Sequence, residues 1–375
     1  MPGGAAYTLL IGHVPAPEPL LTAVQEITIE CSIEEASIVR VRFGITKSQI
    51  GEWSILDLDP FRPLVPLGIR IQQGIGPPEA VINGFVTDHQ VTYADEPGGS
   101  RLEVTAMDAT FVMNMTEKVM PWPNLPDAAI ASAIFGQHAV IPQVDPTAPV
   151  LVEPEGMTIQ RGTDIRFLRR LARRNGFDCY VQPEPLSGLD VGHFGARSLV
   201  GLPEAVLNVS FGGDTNVSGF GVRCELAKPT MAAAIQLDTT TKSPQPGIAP
   251  ASLLPPLGLE PTLLREIPPG MVRPTGTGLT HTGDLQGAAQ AIVDRSTWAV
   301  ACEGTVGPDV GVLRPGVLRP GGLVAVRGAG RLYNGNWFVT RVRHTLDAGR
   351  YEQRFEAMRN AVTETGAEVY LEALT

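Results

Sequence analysis

The chain is short of cysteine, short of charge and without a long apolar run, and each shortage excludes something. Its 375 residues hold four cysteines, Cys31, Cys179, Cys224 and Cys302, with no C-x-x-C spacing and no clustered histidines. Buried thiols are therefore expected, and a structural zinc site is not. Charged residues make up only 18%, and the formal net charge is −10. That balance argues against a general attraction to phosphate backbones, so no specific nucleic-acid partner is expected. No stretch approaches the ~20 apolar residues that cross a bilayer, so no stable membrane insertion is expected. Residues 1–10 also lack the basic start and apolar run of a signal peptide, which implies synthesis in the cytoplasm.

What is abundant points to strands. Glycine occurs 41 times and proline 33 times, and hydrophobic residues make up 43%. This suits many short strands joined by turns, in two or three domains with sizeable cores. Two distant segments also resemble each other in order. The first runs from Pro66-Leu67-Gly68-Ile69-Arg70-Ile71 through Asn83-Gly84-Phe85-Val86-Thr87, His89, Arg101-Leu102-Glu103 and Ala106-Met107. The second runs from Pro320-Gly321-Gly322-Leu323-Val324-Ala325 through Asn334-Gly335, Phe338-Val339-Thr340, His344, Arg350-Tyr351-Glu352 and Ala357-Met358. Each reads as a strand, a tight Asn-Gly turn and a long hairpin, 85–92 with 101–107 and 338–346 with 350–358. Tyr351, Gln353, Phe355 and Ala357 alternate with Glu352, Arg354 and Glu356, which marks a half-buried strand. Two related β-barrels in one chain account for the repeat.

Residues 26–33 and 37–43 add strands to the first barrel, and helices are expected over 127–135, 163–176 and 284–296. Thr163 suits an N-cap, Ile165, Leu168, Leu171 and Ala172 form an apolar stripe, and Gly176 suits the stop. The arginines of that helix, Arg166, Arg169, Arg170, Arg173 and Arg174, read either as a phosphate-binding surface or as a solvated face paired with acidic neighbours; the second is the expectation in an acidic chain. Further strands are expected at 177–181, 208–212, 219–226 and 298–306, and the proline-rich 244–274 reads as an insertion or long loop. The fold class is thus a β-rich α+β chain. It divides into a first barrel over 1–107, an intervening α/β domain over 108–204 and 241–309, a second barrel over 205–240 and 310–361, and a tail over 362–375.

Catalytic signals are weak. His281 and Asp284 with nearby serines permit a triad on paper, but no G-x-S-x-G nucleophile elbow is present. Glu153 and Glu155 beside Pro154 are a weak version of a glycosidase pair. The six histidines are scattered singly, and His89 and His344 fall at matching repeat positions. The segments 74–76 and 328–330 carry two glycines each but precede no helix, so neither is a dinucleotide loop. No cofactor, metal or catalytic residue is assigned.

Taken as an ordered set, these segments resemble one family. Gly162-Thr163-Asp164-Ile165-Arg166-Phe167-Leu168-Arg169-Arg170-Leu171-Ala172 with Gly176-Phe177 is similar to the S/T-D-x-x-F-L-x-R-L-A-x-x-x-G-F/Y segment of the phage late control protein D family. Leu318-Arg319-Pro320-Gly321, Asn334-Gly335, His344 and Tyr351-Glu352-Gln353-Arg354-Phe355-Glu356-Ala357-Met358-Arg359-Asn360-Ala361 resemble its closing hairpin. The resemblance implies a baseplate hub like the hub part of VgrG proteins: a homotrimer whose two tube-protein-like barrels per chain adapt threefold to sixfold symmetry. Its implied partners are an inner tube or tube-initiator protein, a separate spike protein (the chain stops soon after the last hairpin) and other baseplate components. It implies a structural protein and not an enzyme, within a phage-tail-like particle. The alternatives are a baseplate-associated cell-wall hydrolase and a receptor-binding tail module. Under the hub reading the matched hairpins, with Phe85, Arg101, Phe338 and Arg350, face the tube, and Val369, Tyr370 and Leu371 face the spike.

Overall fold

The computed structural model describes residues 5–370 apart from 50, 57–58, 75, 97, 148–156, 226, 238–241, 265–269, 274–281, 308–315, 348 and 369. Its first part contains β1 (Ala6–Ile11), β2 (Val14–Pro15), the short helix α1 (Glu18–Ala23), β3 (Val24–Ser32), β4 (Ile38–Gly44), β5 (Pro66–Gln72), β6 (Glu79–Thr92) and β7 (Arg101–Met107). In space the order is β3-β4-β7-β6-β5-β1, antiparallel throughout. Alternation drives the packing: in β7, Leu102, Val104 and Ala106 point inward while Arg101 is exposed. One core collects Leu9 from the last strand and Ile27 from the first, so the sheet is rolled about it like a barrel. Each such fully buried aliphatic side chain stabilises the fold by about 1.5–3 kcal/mol.

The middle part contains α2 (Ala109–Met113), β8 (Glu117–Trp122), α3 (Asp127–Gln137), β9 (Ile141–Val144), β10 (Thr158–Thr163), α4 (Asp164–Asn175), β11 (Asp178–Pro183) and β12 (Asp190–Gly195). Helix α4 buries Ile165, Phe167, Leu168, Leu171 and Ala172, and Gly176 ends it at φ +74°, a left-handed conformation that glycine adopts without strain. Thr163 precedes the helix in extended conformation but makes no side-chain cap; its hydroxyl instead donates to Asn114 Oδ1 at 2.8 Å. Asp164 is the polar anchor of the start. Burial alone would raise its carboxyl, but Lys118 at 2.6 Å, His138 at 2.8 Å and Gln160 at 2.6 Å hold it below the usual range.

The third part contains β13 (Ala205–Asn208), β14 (Ser218–Cys224), β15 (Thr230–Leu237), β16 (Pro244–Ala249), β17 (Glu260–Pro261), β18 (Gly270–Val272), α5 (Thr282–Ser296), β19 (Val300–Val306), β20 (Leu323–Arg327), β21 (Gly335–Asp347), β22 (Arg350–Arg359) and β23 (Ala361–Val362). Here the order is β14-β19-β22-β21-β20-β13, strand for strand that of the first part. The last pairing differs, since β13 runs parallel to β20. Strand β19 lies between β14 and β22 in this unit, not in the intervening region to which its position in sequence points. Conversely β15 leaves the unit: with β16 and β18 it forms a small sheet, on which Ala289 and Val293 of α5 pack against Ala232 and Ala249. The proline-rich stretch is therefore partly sheet, with Pro244 starting an edge strand where its missing N–H costs little.

The two rolled units share a defect as well as an order. The ladder slips between Val86 and Asp88 in β6, and between Val339 and Arg341 in β21. A threonine fills the bulge each time, and its hydroxyl donates across the hairpin: Thr87 to the Thr105 carbonyl at 3.3 Å, Thr340 to the Glu356 carbonyl at 3.2 Å. Anchored there, Phe85 matches Phe338 and Met107 matches Met358, as their identical pairing shows. The anchor corrects three other matches. Asn83 aligns with Asn336 and not Asn334, His89 aligns with Val342 and not His344, and Arg101 aligns with Glu352 and not Arg350. Nor does Asn83-Gly84 make a turn. It lies within β6, where a Cβ on Gly84 would stand 3.1 Å from that of Ala106, so the glycine permits close approach of two strands.

Candidate assembly surface

Strand β21 uses its two halves differently. Residues 335–338 pair with β20, and residues 341–347 pair antiparallel with β3, from Arg341 opposite Ser32 to Asp347 opposite Glu26. This second ladder fuses the two rolled units edge to edge. At its centre His344 lies opposite Ile29, fully buried, with Nδ1 2.8 Å from Tyr351 Oη. Burial, and then the charge of Arg319, pushes the His344 pKa down to about 3, so the ring is neutral. At the rim Arg341 meets Glu35 at 2.9 Å and Arg343 meets Glu30 at 3.9 Å.

Strand β6 repeats this division without the second partner. Residues 79–85 pair with β5, whereas 88–92 are hydrogen-bonded only to β7 among the described residues. Residues 88–90 are accordingly all exposed. At the far end of the sheet β14, the counterpart of β3, pairs with β19 on one side and with nothing described on the other. The chain thus presents two open edges whose counterparts pair with each other inside it.

The middle part wedges into the junction. Asn83 Nδ2 donates to Asp190 Oδ1 at 2.9 Å and to the Gly188 carbonyl at 2.7 Å, while Arg319 reaches Glu79 at 3.1 Å. Burial pushes the Asp190 carboxyl up to about 6, eased by the Asn83 bond. Three thiols, Cys31, Cys179 and Cys302, are buried and pushed up by burial, whereas Cys224 on the open edge strand is only half-buried. Inertness follows for the first three.

Of the residues singled out in the sequence, Arg101 and Arg350 both stand at the start of the return strand of a hairpin, exposed and at corresponding ends. Phe85 and Phe338 do not join them. Phe85 is half-buried against the core of the middle part. Phe338 is 2% exposed and sits 5.7 Å from the Trp298 ring, so it offers no side-chain surface to a partner. Both lie on the strand face opposite Val86 and Val339, which fill the unit cores, and pack instead against side chains outside those cores. Tyr370 is half-buried, and Val369 and Leu371 lie outside the described residues, as do Glu153, Glu155 and His281. Among the described residues no group of three or more His, Cys, Asp or Glu is placed to hold a metal ion. Which strands form the open edges was not legible in the sequence, although Gly219 and Gly221 weaken β14 as a strand.

No family model matches the chain, and no curated protein sequence matches it. Solved structures do. A tail protein from Neisseria meningitidis MC58 is 14% identical with a TM-score of 0.65, over 95% of this chain and 97% of that one. The 43 kDa tail protein of prophage MuSo2 from Shewanella oneidensis is 14% identical with a TM-score of 0.62, over 96% and 99%. An Escherichia coli protein, described as a component of the type VI secretion system similar in structure to the T4 bacteriophage tail proteins gp27 and gp5, is 12% identical with a TM-score of 0.55, over 98% and 79%. The chain has the fold of these tail and secretion-system proteins along nearly its whole described length.

Proposed function

We propose that this chain is the structural hub of a phage tail or contractile injection system, a homotrimer whose six rolled units form a ring between inner tube and spike. The observation that supports this most is the complementarity of the two open edges. Transposed through the repeat, the β21–β3 ladder becomes a ladder between β6 of one copy and β14 of the next. Val342 opposite Cys31 becomes His89 opposite Cys224, and His344 opposite Ile29 becomes Val91 opposite Val222. Arg343 opposite Glu30 becomes Gln90 opposite Arg223, and Arg341 opposite Ser32 becomes Asp88 opposite Glu225, a like-charge pair offset by Arg223, which contacts Glu225 at 3.4 Å. Val91 and Val222, each half-buried in the single chain, cover one another in this arrangement. Pairing also removes the free strand edges that invite aggregation. Where the rotation of such a repeated junction closes, the ring has an even number of units, and three copies match a hexameric tube.

In this reading the first rolled unit (to 107), the middle part and the second rolled unit (to 361) each remain intact, and the action is mechanical. Arg101 and Arg350 face the tube, and the segment around Tyr370 faces a separate spike protein. The site is thus an edge rather than a catalytic pocket, and the chain belongs in an assembled tail-like particle.

The test is a single substitution. Opposed Cα atoms in an antiparallel pair are about 4.5–5.5 Å apart, within disulfide range. His89→Cys should therefore cross-link to native Cys224 of a neighbouring copy on mild oxidation, giving covalent dimers and trimers, and adding Cys224→Ser should abolish them. A threefold mass by light scattering is expected for the unmodified protein. A monomer that never cross-links, even with tube and spike proteins added, overturns the reading.

A further inference from the structure

The arginines of α4 do not share one environment. Arg174 Nε donates to Asp127 Oδ2 at 2.7 Å, Arg170 lies over the Phe167 ring at 5.3 Å, and Arg166 is exposed. Arg169 and Arg173 instead line a cavity of about 350 Å³ together with Arg197, Lys228 and Arg295. Arg197 follows β12, Arg295 comes from the last turn of α5, and Ile33 and Met358 bring in the end of β3 and strand β22. The cavity therefore lies where the middle part meets both rolled units.

Five cations face it against two carboxylates, Glu34 and Asp178, in a chain of net charge −10, although Lys228 also contacts Glu225 at 3.8 Å. Asp178 is already engaged, accepting from Arg197 Nε at 2.8 Å, and Glu34 is exposed at the rim. The Arg197 guanidinium lies 4.4 Å from the Trp298 ring and 5.0 Å from the Phe338 ring, which restricts its movement. Its Nη2 also reaches Asp178 Oδ1 at 3.5 Å, while its Nη1 is buried with no hydrogen-bond partner among the described residues, and so are Nε and Nη2 of Arg169. Arg295 spends a donor on the Phe177 carbonyl at 3.0 Å. Burial lowers the Arg295 pKa, and although Asp178 opposes this, Arg173 and Arg197 add to it, as expected for cations crowded together. Buried guanidinium donors without acceptors are costly, and like charges this close repel.

We propose that this cleft binds a phosphate group. A carboxylate supplies one negative charge and a planar pair of acceptors, whereas a phosphate supplies up to two charges and acceptors in several directions. Five cationic side chains converge on one space from α4, from α5 and from the segments that follow β12 and β14, which suits the second shape. The cavity exceeds one phosphate, and Ile33, Phe177 and Met358 give it an apolar wall, which suits a small phosphorylated molecule over the free ion. A bound phosphate draws the three parts of the chain together. This site does not depend on the ring.

Calorimetric titration of the full chain at low salt tests the proposal, with inorganic phosphate, glycerol 3-phosphate and acetate as probes. Both phosphates are expected to bind and acetate is not. Tighter binding of glycerol 3-phosphate identifies a phosphorylated molecule as the ligand, and equal binding identifies the free ion. Arg169→Gln should weaken phosphate binding at least about tenfold, the loss of one charge-assisted bond. Arg166→Gln, the same charge change on the exposed face of the same helix, should leave it unchanged. Should Arg169→Gln fail to fold by circular dichroism, Arg173→Gln takes its place. No phosphate binding up to about 10 mM, or equal weakening by Arg166→Gln, overturns the proposal.

Discussion

The two rolled units share strand order and a threonine bulge, yet they treat the outer half of the same hairpin strand in opposite ways. In the second unit Val342, His344 and Leu346 are buried, because β3 lies alongside. In the first unit 88–90 are all exposed, because nothing described lies there. The inversion is sharpest at one matched pair: the polar His344 is inside, while its counterpart Val91 is half-exposed. Burial of a strand is thus decided by its neighbour and not by its own alternation. An apolar residue left half-covered at an open edge is then a statement about a missing neighbour.

The widest divergence between the units comes one residue after the matched Met107 and Met358. The first unit places Asp108 there, accepting from the Ser37 N–H at 2.6 Å and the Thr110 N–H at 2.9 Å. The second places Arg359, fully buried under Trp337 at 5.2 Å, with Nη1 donating to the Asn334 carbonyl at 2.8 Å and Nη2 to the Leu257 carbonyl. Both close a unit onto neighbouring backbone with opposite charge. Arg359→Met strands two buried carbonyls and should cost about 4 kcal/mol. Asp108→Ala strands two N–H groups nearer the helix start and should cost about 2 kcal/mol. Urea unfolding of both variants checks this; equal costs would show that the deeper burial of Arg359 adds nothing to its two carbonyl bonds.

Much of this architecture was legible from residues. Alternation in 350–358 and the amphipathic pattern of α4 describe local structure, which depends on neighbours in sequence. The repeat was legible too, but its register was not. Asn83-Gly84 and Asn334-Gly335 look alike as strings, and only the bulge at Thr87 and Thr340, a pairing between distant strands, shows that they are not equivalent. Phe85 and Phe338 were visible as landmarks, while what covers them is set by distant parts of the chain that pack on their side of the strand. The arginines of α4 show the limit most clearly: the acidic partner of Arg174 and the unpaired surroundings of Arg169 are set by tertiary placement, and no spacing within the helix distinguishes them.

Acid should destabilise the closed edge. The folded-state pKa of His344 lies near 3, against about 6.5 for an unfolded chain, so the fold accepts only the neutral ring. The stability this contributes is complete above the unfolded value and is lost as pH falls toward 3. Between pH 7 and pH 4 the loss is about 3 kcal/mol. The double variant His344→Val with Tyr351→Phe gives this edge the apolar character of Val91 without stranding the tyrosine hydroxyl. Relative to the unmodified protein it should gain about 3 kcal/mol over that interval in urea midpoints. An unchanged difference between the two proteins across pH would place the acid sensitivity elsewhere.

Asp190 faces the same small cavity between the parts as His344 and should act with the opposite sign. Its folded-state pKa is raised to about 6, chiefly by burial, so the protonated carboxyl is the form the fold prefers. The associated stability is complete below the unfolded value near 4 and is lost as pH rises through about 6. Asp190→Asn keeps an oxygen to accept from Asn83 and removes the charge. It should therefore match the unmodified protein near pH 4 and exceed it by about 1–2 kcal/mol at pH 8. A gain at both pH values would mean that the carboxylate is strained by shape and not by charge. A gain at neither would mean that water reaches the cavity and solvates Asp190, and the junction between the units would then be looser than the buried His344 implies.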